Sequence, residues 1–477
     1  MRDLMLETAR AAAGELVVLS PYDGRVLDSL ATADAHHVDD ALSAAQALYR
    51  DRDGWLSVPQ RIDILHAAAE RMAQELEPLT LLAASEGGKP YNDSKVEVLR
   101  AIDGMRLCAE TLRSEPGKVI PLGTTPATTG RVGFTQKEPI GVVVAVSAFN
   151  HPLNLIVHQV GPAVASGCPV IVKPADDTPL SCVRLVEILR QAGLPDAWCQ
   201  VLIAHDIATA ESLVTDARVA FFSFIGSARV GWSLRAKLAP GTRCALEHGG
   251  VAPLVLAAPF QFDPAIEAIA KGGFYHAGQV CVSVQRVLVP TSQLDAVTAA
   301  LVARANALTV GAPEHADTDV GPLIRAAEVT RIDAWVQEAI ADGAICLCGG
   351  KPLDFHCYAP TVLLNPPLDA KVSTDEVFGP VICVYGYDDL EDAIAQANAL
   401  PVSFQAAVFC DDIDTVTHLY THLDASAVMV NDHSAFRDDA MPFAGLRVSG
   451  LGVGGIPYTM HDMQIDKMLV IKSAGLR

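Results

Sequence analysis

From residue 37 to residue 113 apolar positions recur at about the 3.6-residue period of a helix. The stretch 58–72 is the clearest case, and Pro59 suits the first turn of a helix there. From 141 onward the pattern changes. Short β-branched runs at 141–146, 169–173, 200–203 and 219–224 read as strands, separated by amphipathic stretches such as 180–190. Alternation of this kind predicts an α/β fold, a parallel sheet covered by helices on both faces. A second strand–helix series runs from near Pro253 to about 435, with strands near 253–257, 284–289 and 427–431. The stretch 116–139 is rich in Pro, Gly and Thr, which predicts a loop or an edge strand and excludes a helix. Neither internal repeats nor low-complexity tracts interrupt this order.

Length and charge narrow the classes. A chain of 477 residues, half of them hydrophobic, is long enough for two or three domains. A formal charge of −21 repels phosphate backbones and anionic lipid, so nucleic acid and membrane surfaces are not expected partners. Eleven cysteines are scattered with no Cys-x-x-Cys pair, the pattern of a reduced intracellular chain rather than a disulfide framework. Cys346 and Cys348 stand close, but no second ligand pair at zinc-like spacing accompanies them, so no metal is expected. The N-terminus is broken by charges and reads as no signal peptide. The most apolar stretches, 141–149 and 160–172, fall short of the roughly 18 to 20 residues that span a bilayer. A cytoplasmic protein is expected.

Two local contexts carry chemistry. Glu247 stands in Leu-Glu-His-Gly-Gly at a strand end, and Cys281 stands in Gly-Gln-Val-Cys, 34 positions later. A lone cysteine is ordinarily a small buried hydrophobe, but Gly278 and Gln279 before Cys281 single it out. A thiol and a carboxylate are the nucleophile and base needed to build an acyl group on sulfur and then hydrolyse it. Four further motifs accompany them: Phe-Asn-His-Pro at 149–152, Lys-Pro-Ala at 173–175, Phe-Ile-Gly-Ser at 224–227 and Glu-Val-Phe-Gly-Pro at 376–380.

In this order the set resembles the aldehyde dehydrogenase superfamily, from about Asn150 to Gly450. The resemblance implies a Rossmann-like cofactor domain (1–115 and 140–249) and a second α/β catalytic domain (250–445). It adds a small β oligomerisation arm (116–139 and 460–477), and so a homodimer or homotetramer. Catalysis would fall to Cys281 as nucleophile, Glu247 as the base for water and Asn150 as oxyanion donor. NAD, with NADP as the other candidate, would be held by Ser147, Phe149, Lys173, Asp176, Gly226, Ser227, Gly231, Glu376 and Phe378. Two departures from the family pattern are His248, where leucine is usual, and Ala204-His205-Asp206, where a Gly-x-Gly turn is common. His248 reads as a packing variant. The glycine-rich stretch 450–455 lies too near the C-terminus to open a dinucleotide-binding βαβ unit.

The implied activity is oxidation of a small aldehyde to its acid by a non-acylating enzyme. The segments 431–437 and 441–443 look most like dehydrogenases of lactaldehyde and related polar or anionic aldehydes. Phe436 and Arg437 are the candidate substrate contacts, Arg437 because a guanidinium fork suits an anionic group. A coenzyme A-acylating semialdehyde dehydrogenase and a cysteine thioester or ester hydrolase without redox chemistry are the rival readings. Glu247 speaks against the first, since acylating relatives commonly lack it.

Overall fold

The structure, a computed structural model, describes residues 1–114 and 117–476. Glu115, Pro116 and Arg477, which bound three of the expected segments, lie outside the described residues. The chain begins with an antiparallel hairpin, Gly14–Leu19 against Val26–Thr32. The apolar pattern did not announce it, because Val17, Leu19 and Val26 point to solvent.

The predicted helical region forms four helices: Ala35–Arg50, Val58–Gln74, Leu76–Gly87 and Tyr91–Ser114. Pro59 does sit in the first turn of the second. Ser57 caps that helix reciprocally with Gln60, satisfying N–H groups that a helix start leaves unpaired. The fourth helix buries Ser94, Glu97, Val98, Ala101, Ile102, Met105 and Cys108 along one face.

Strands Val142–Val146, Val170–Lys173, Cys199–Val201, Val219–Ile225 and Arg243–Glu247 pair in parallel, the first four where the apolar runs predict strands and the fifth at the strand end that carries Glu247. Val142, Val143, Val144 and Ala145 are wholly buried, as expected for a strand covered on both faces. A short strand from far downstream, Gly450–Leu451, completes this six-stranded sheet by pairing antiparallel with Arg243–Glu247. The glycine-rich stretch 450–455 therefore closes a sheet edge.

The second series forms a seven-stranded sheet. Its central strands Val381–Tyr387, Val284–Pro290, Ala252–Leu256 and Gln405–Phe409 are parallel, and one edge strand, Ile345–Cys348, runs antiparallel. The stretch after residue 117 contributes Val119–Ile120 and Arg131–Pro139, and the latter pairs along its whole length with Gln464–Lys472. Residues 456–462, which run into the expected arm at 460, form a short helix whose Ile456 and Met460 join the core of the first half. Among the described residues, no helix is long and apolar enough to cross a membrane.

Candidate active site

The strand Arg243–Glu247 ends where the second half of the chain meets the first, and a cavity of about 550 Å³ opens there. Cys281 reaches it from a tight turn. His276, Ala277 and Gly278 all have positive φ (49°, 54° and 68°), a left-handed run that costs energy at the first two, which carry side chains. Only glycine fits the third, since a Cβ on Gly278 would lie 2.1 Å from the Gly379 carbonyl oxygen. Gln279 locks the turn. Its Oε1 accepts from the Ile324 N–H at 3.0 Å and its Nε2 donates to the Pro322 carbonyl at 3.2 Å.

The three residues expected to do chemistry are tied together through the backbone. Asn150 donates from Nδ2 to the Gln279 carbonyl at 2.9 Å, two residues before the thiol. The Gly250 N–H donates to the Cys281 carbonyl at 3.1 Å, linking the loop after Glu247 to the thiol's own residue. Asn150 is itself held from below. Glu97 accepts from the N–H groups of Leu153 (2.9 Å) and Asn154 (3.0 Å), and its other oxygen pairs with Lys89. That ion pair is wholly buried. The motif at 149–152 gave no sign of it, because Lys89 and Glu97 lie more than fifty residues upstream.

Electrostatics separate the groups. Burial pushes the Glu247 carboxyl up to about 7, opposed by Arg437. Burial, and then the carboxylates of Glu376 and Glu247, hold the Cys281 thiol above the ordinary cysteine range. Burial likewise raises Glu376 to about 8.

Most expected cofactor residues share the cavity wall: Ser147, Phe149, Asp176, Gly226, Ser227, Glu376 and Phe378 all line it. Phe378, at φ 50°, meets Phe149 edge-on at 5.8 Å. Lys173 stands just behind, its ammonium donating to Asp176 Oδ1 at 2.7 Å and to the Pro174 carbonyl at 3.1 Å. Gly231 is also off the wall, and its lack of a side chain serves packing. A Cβ there would lie 2.1 Å from His248 Cε1. His248 fills that space, donating from Nδ1 to the Gly226 carbonyl at 2.8 Å and packing against Phe224 and Trp232. At the other departure, Asp206 caps the helix Ile207–Thr215 by accepting from the Thr209 N–H.

The two candidate substrate contacts part company. Arg437 lines the cavity, whereas Phe436 is 44% exposed and lies off its wall. A turn closed by the Phe436 N–H on the His433 carbonyl sends the two neighbours opposite ways. Arg437 does not pair with Asp438 or Asp439. It donates to the Met441 carbonyl at 2.8 Å and stacks on Phe443 at 4.3 Å. Residues on the same wall to which the motifs assigned no role are Arg100, His158, His151 (inside the motif at 149–152) and Tyr275, the last two joined Nε2 to hydroxyl at 2.7 Å. Arg100 left one faint trace: a charge three positions from Glu97, which the helix Tyr91–Ser114 buries.

Comparison with known proteins agrees with this geometry. Residues 8–469 match the model of the aldehyde dehydrogenase family. The chain belongs to that family. A 3-sulfolactaldehyde dehydrogenase from Priestia aryabhattai is 34% identical over 459 residues, 96% of this chain and 95% of the relative. Aldehyde dehydrogenase 21 from Physcomitrella patens, solved with its reaction product succinate, superposes with a TM-score of 0.94 at 32% identity, covering 100% of this chain and 99% of that one. A glyceraldehyde-3-phosphate dehydrogenase from Methanocaldococcus jannaschii, solved with NADP, gives 0.92 at 32% identity, covering 98% and 100%.

As a family member the protein is an NAD(P)-dependent oxidoreductase of aldehydes. Its wall fits such a cofactor on its own evidence. Glu376 Oε1 and Ser147 Oγ are buried with no hydrogen-bond partner, and buried polar atoms are normally paired. Ribose hydroxyls and a carboxamide are groups that would pair with such atoms. Among the described residues, no cluster of three or more His, Cys, Asp or Glu side chains is placed to hold a metal ion.

Proposed function

We propose that the protein oxidises a short polar or anionic aldehyde to its carboxylic acid through a thioester on Cys281, using NAD in preference to NADP. The Cys281 sulfur adds to the aldehyde carbon, and its proton leaves to Glu247 or solvent. The oxygen that gains charge is met by the Cys281 N–H and by the second amide hydrogen of Asn150, the first being held by the Gln279 carbonyl. Bound NAD supplies the hydride acceptor. Loss of hydride from the thiohemiacetal carbon leaves the thioester. Glu247 then takes a proton from water as its oxygen attacks the thioester carbon, and the acid leaves as the thiol is restored. Overall, aldehyde, water and the oxidised cofactor become acid, reduced cofactor and a proton.

The observation that carries this reading is the backbone link from the Glu247 loop to Cys281, with Asn150 tied to the same turn. A base near 7, present in the cavity, favours hydrolysis over transfer to coenzyme A. The wall residues Ser147, Phe149, Asp176, Gly226, Ser227, Glu376 and Phe378 are assigned to the cofactor, with Lys173 acting beside Asp176. Arg437 is assigned to the substrate's anionic group, since it has no ion-pair partner among the described residues. Residues 1–115 with 140–249 are assigned as the dinucleotide-binding domain and 250–445 as the catalytic domain.

The sheet pairing Arg131–Pro139 with Gln464–Lys472 is assigned as a contact between copies of the chain, because Met468, Leu469, Val470 and Ile471 are all more than 40% exposed. A dimer or tetramer would cover them. Eleven free cysteines suit the reducing cytoplasm. The deciding experiment is an aldehyde panel read at the reduced-nicotinamide band, with NAD and NADP in parallel and with coenzyme A added or withheld. Reduced cofactor and free acid formed without coenzyme A is the expected result. An absolute need for coenzyme A, or ester hydrolysis with no reduced cofactor from any aldehyde, overturns the reading.

A further inference from the structure

Arg100 and Arg437 reach the cavity from distant parts of the chain, the helix Tyr91–Ser114 and the loop after strand Ala427–Val430. Asp439 belongs to the second and binds the first. Its Oδ1 accepts from Arg100 Nη2 at 2.5 Å and from His158 Nε2 at 2.7 Å, with Asn154 Nδ2 at 3.4 Å, and its Oδ2 accepts from Arg100 Nε at 3.3 Å. Asp439 is 6% exposed and spends its charge on Arg100. Arg437 has only a neutral carbonyl and an aromatic face. Within this cluster of three, two guanidinium charges against one carboxylate leave a single positive charge.

Below about pH 7 the other titratable groups beside this cluster do not alter that balance. Burial keeps His151 and His158 below the ordinary histidine range, hence uncharged. Burial also holds Tyr275 and Cys281 protonated. Glu247, at about 7, adds negative charge only as the pH rises through neutrality. The Lys89–Glu97 pair beneath is neutral as a unit.

We propose that Arg100, Asp439 and Arg437 form a receptor for one negative charge. It selects aldehydes that end in a carboxylate or sulfonate over neutral aldehydes and over phosphate dianions. The inference deepens the aldehyde-oxidation reading above and rests on it. A neutral substrate leaves the buried Arg437 charge uncompensated. A dianion brings one charge more than the wall can balance, in a space where an unbalanced charge is costly. Arg437, Glu247 and Cys281 line the same cavity, so one short aldehyde can present its anionic end to the first and its carbonyl to the last. Asp439 acts here by position and by charge, without touching substrate.

The test compares butanal, succinic semialdehyde and phosphoglycolaldehyde at pH about 6.5, where a phosphate monoester is mostly doubly ionised and Glu247 is mostly protonated. The carboxylate-bearing aldehyde should exceed both others in kcat/KM by about tenfold or more. A phosphate ester turned over as well as the carboxylate overturns the proposal. Asp439→Asn should raise the phosphate-to-carboxylate ratio of kcat/KM, chiefly through KM. Arg100→Gln should lower the carboxylate-to-neutral ratio by about tenfold. An unchanged ratio in both variants makes the cluster merely structural.

A second measurement needs no turnover. Butanoate should slow alkylation of Cys281 by iodoacetamide at concentrations where butyl phosphate and butanol do not, and equal protection by butyl phosphate overturns the proposal. Protection by butanoate without oxidation of any aldehyde would sustain the receptor and defeat the oxidation reading. Oxidation of aldehydes without regard to charge would do the reverse.

Discussion

The carboxylate of Glu376 rests directly on the backbone of Gly249: a Cβ built there would sit 1.8 Å from Oε1. The first glycine of the strand-end motif thus leaves room for an acid from 127 residues downstream. Glu247 is seated the same way, since a Cβ on Gly454 would lie 2.1 Å from its Oε1. Two buried acids occupy places where any other residue would project a side chain, which brings them to a crowded wall without displacing the strand.

Removal of the sulfur should end catalysis and spare cofactor binding. Cys281→Ala and Cys281→Ser are expected to show no reduced cofactor from aldehyde while NAD still quenches intrinsic fluorescence with nearly the wild-type Kd. Substantial turnover by Cys281→Ala would exclude a covalent route.

Glu247→Gln should stall after hydride loss, because the thioester forms and its water lacks a base. Rapid mixing is expected to give a burst of reduced cofactor near one per site, followed by slow turnover. In the wild type the base must be unprotonated, so kcat governed by hydrolysis should rise with pH through about 7 and lose that rise in the variant. A missing burst would assign Glu247 to activating the thiol.

Arg437→Ala should raise KM for an anionic aldehyde about tenfold or more relative to its effect on propanal, the loss of one charge-assisted hydrogen bond of about 1.5–3 kcal/mol. Equal effects on charged and neutral substrates would make the residue a packing element over Phe443.

Asp176 faces the cavity with a carboxylate that can accept from a ribose 2′-hydroxyl and repel a 2′-phosphate. NAD should therefore give the higher kcat/KM, and Asp176→Ala should narrow the gap. The Lys173 contact moderates the repulsion, so the preference is modest. A wild-type preference for NADP would refute the assignment.

Glu86 is buried and caps the helix Leu180–Gln191, accepting from Leu180 and Ser181 N–H groups at 2.7 and 2.8 Å. Burial lifts its carboxyl to about 7 from the ordinary 4.5. The native state therefore holds the proton more tightly than the unfolded chain, and the cost of ionisation is absent below the lower value and complete above the higher one. Tm of the wild type minus Tm of Glu86→Gln should fall as pH rises from about 5 to about 8. A difference that stays flat or grows would contradict the assigned shift.

The sheets and the chemical residues were legible because their signals are local. Runs such as 141–146 name a buried strand by composition alone, and Cys281, Glu247 and Asn150 each stand in a short motif that their own turn or strand end requires. Arg100 and Asp439 were not, since 339 positions separate them and only the fold joins them. The Lys89–Glu97 pair hid for the same reason: an ordinary surface pair has the same spacing. Phe436 and Arg437 were read as one unit, but a single turn divides them. The N-terminal hairpin escaped because its outward apolar residues blur the alternation that would mark a half-buried strand.

Glu247 ends a strand whose outer neighbour, Gly450–Leu451, is made long after it. During synthesis the ribosome releases the first five strands of that sheet some two hundred residues before the sixth. Through that interval the sheet has a free edge beside the future base, open to solvent and to pairing with another nascent chain. Covering the edge also brings Gly454 against the carboxylate. Arrival of this short strand and burial of the base are thus one event, and a chain released before it would carry a thiol with no desolvated acid to serve it.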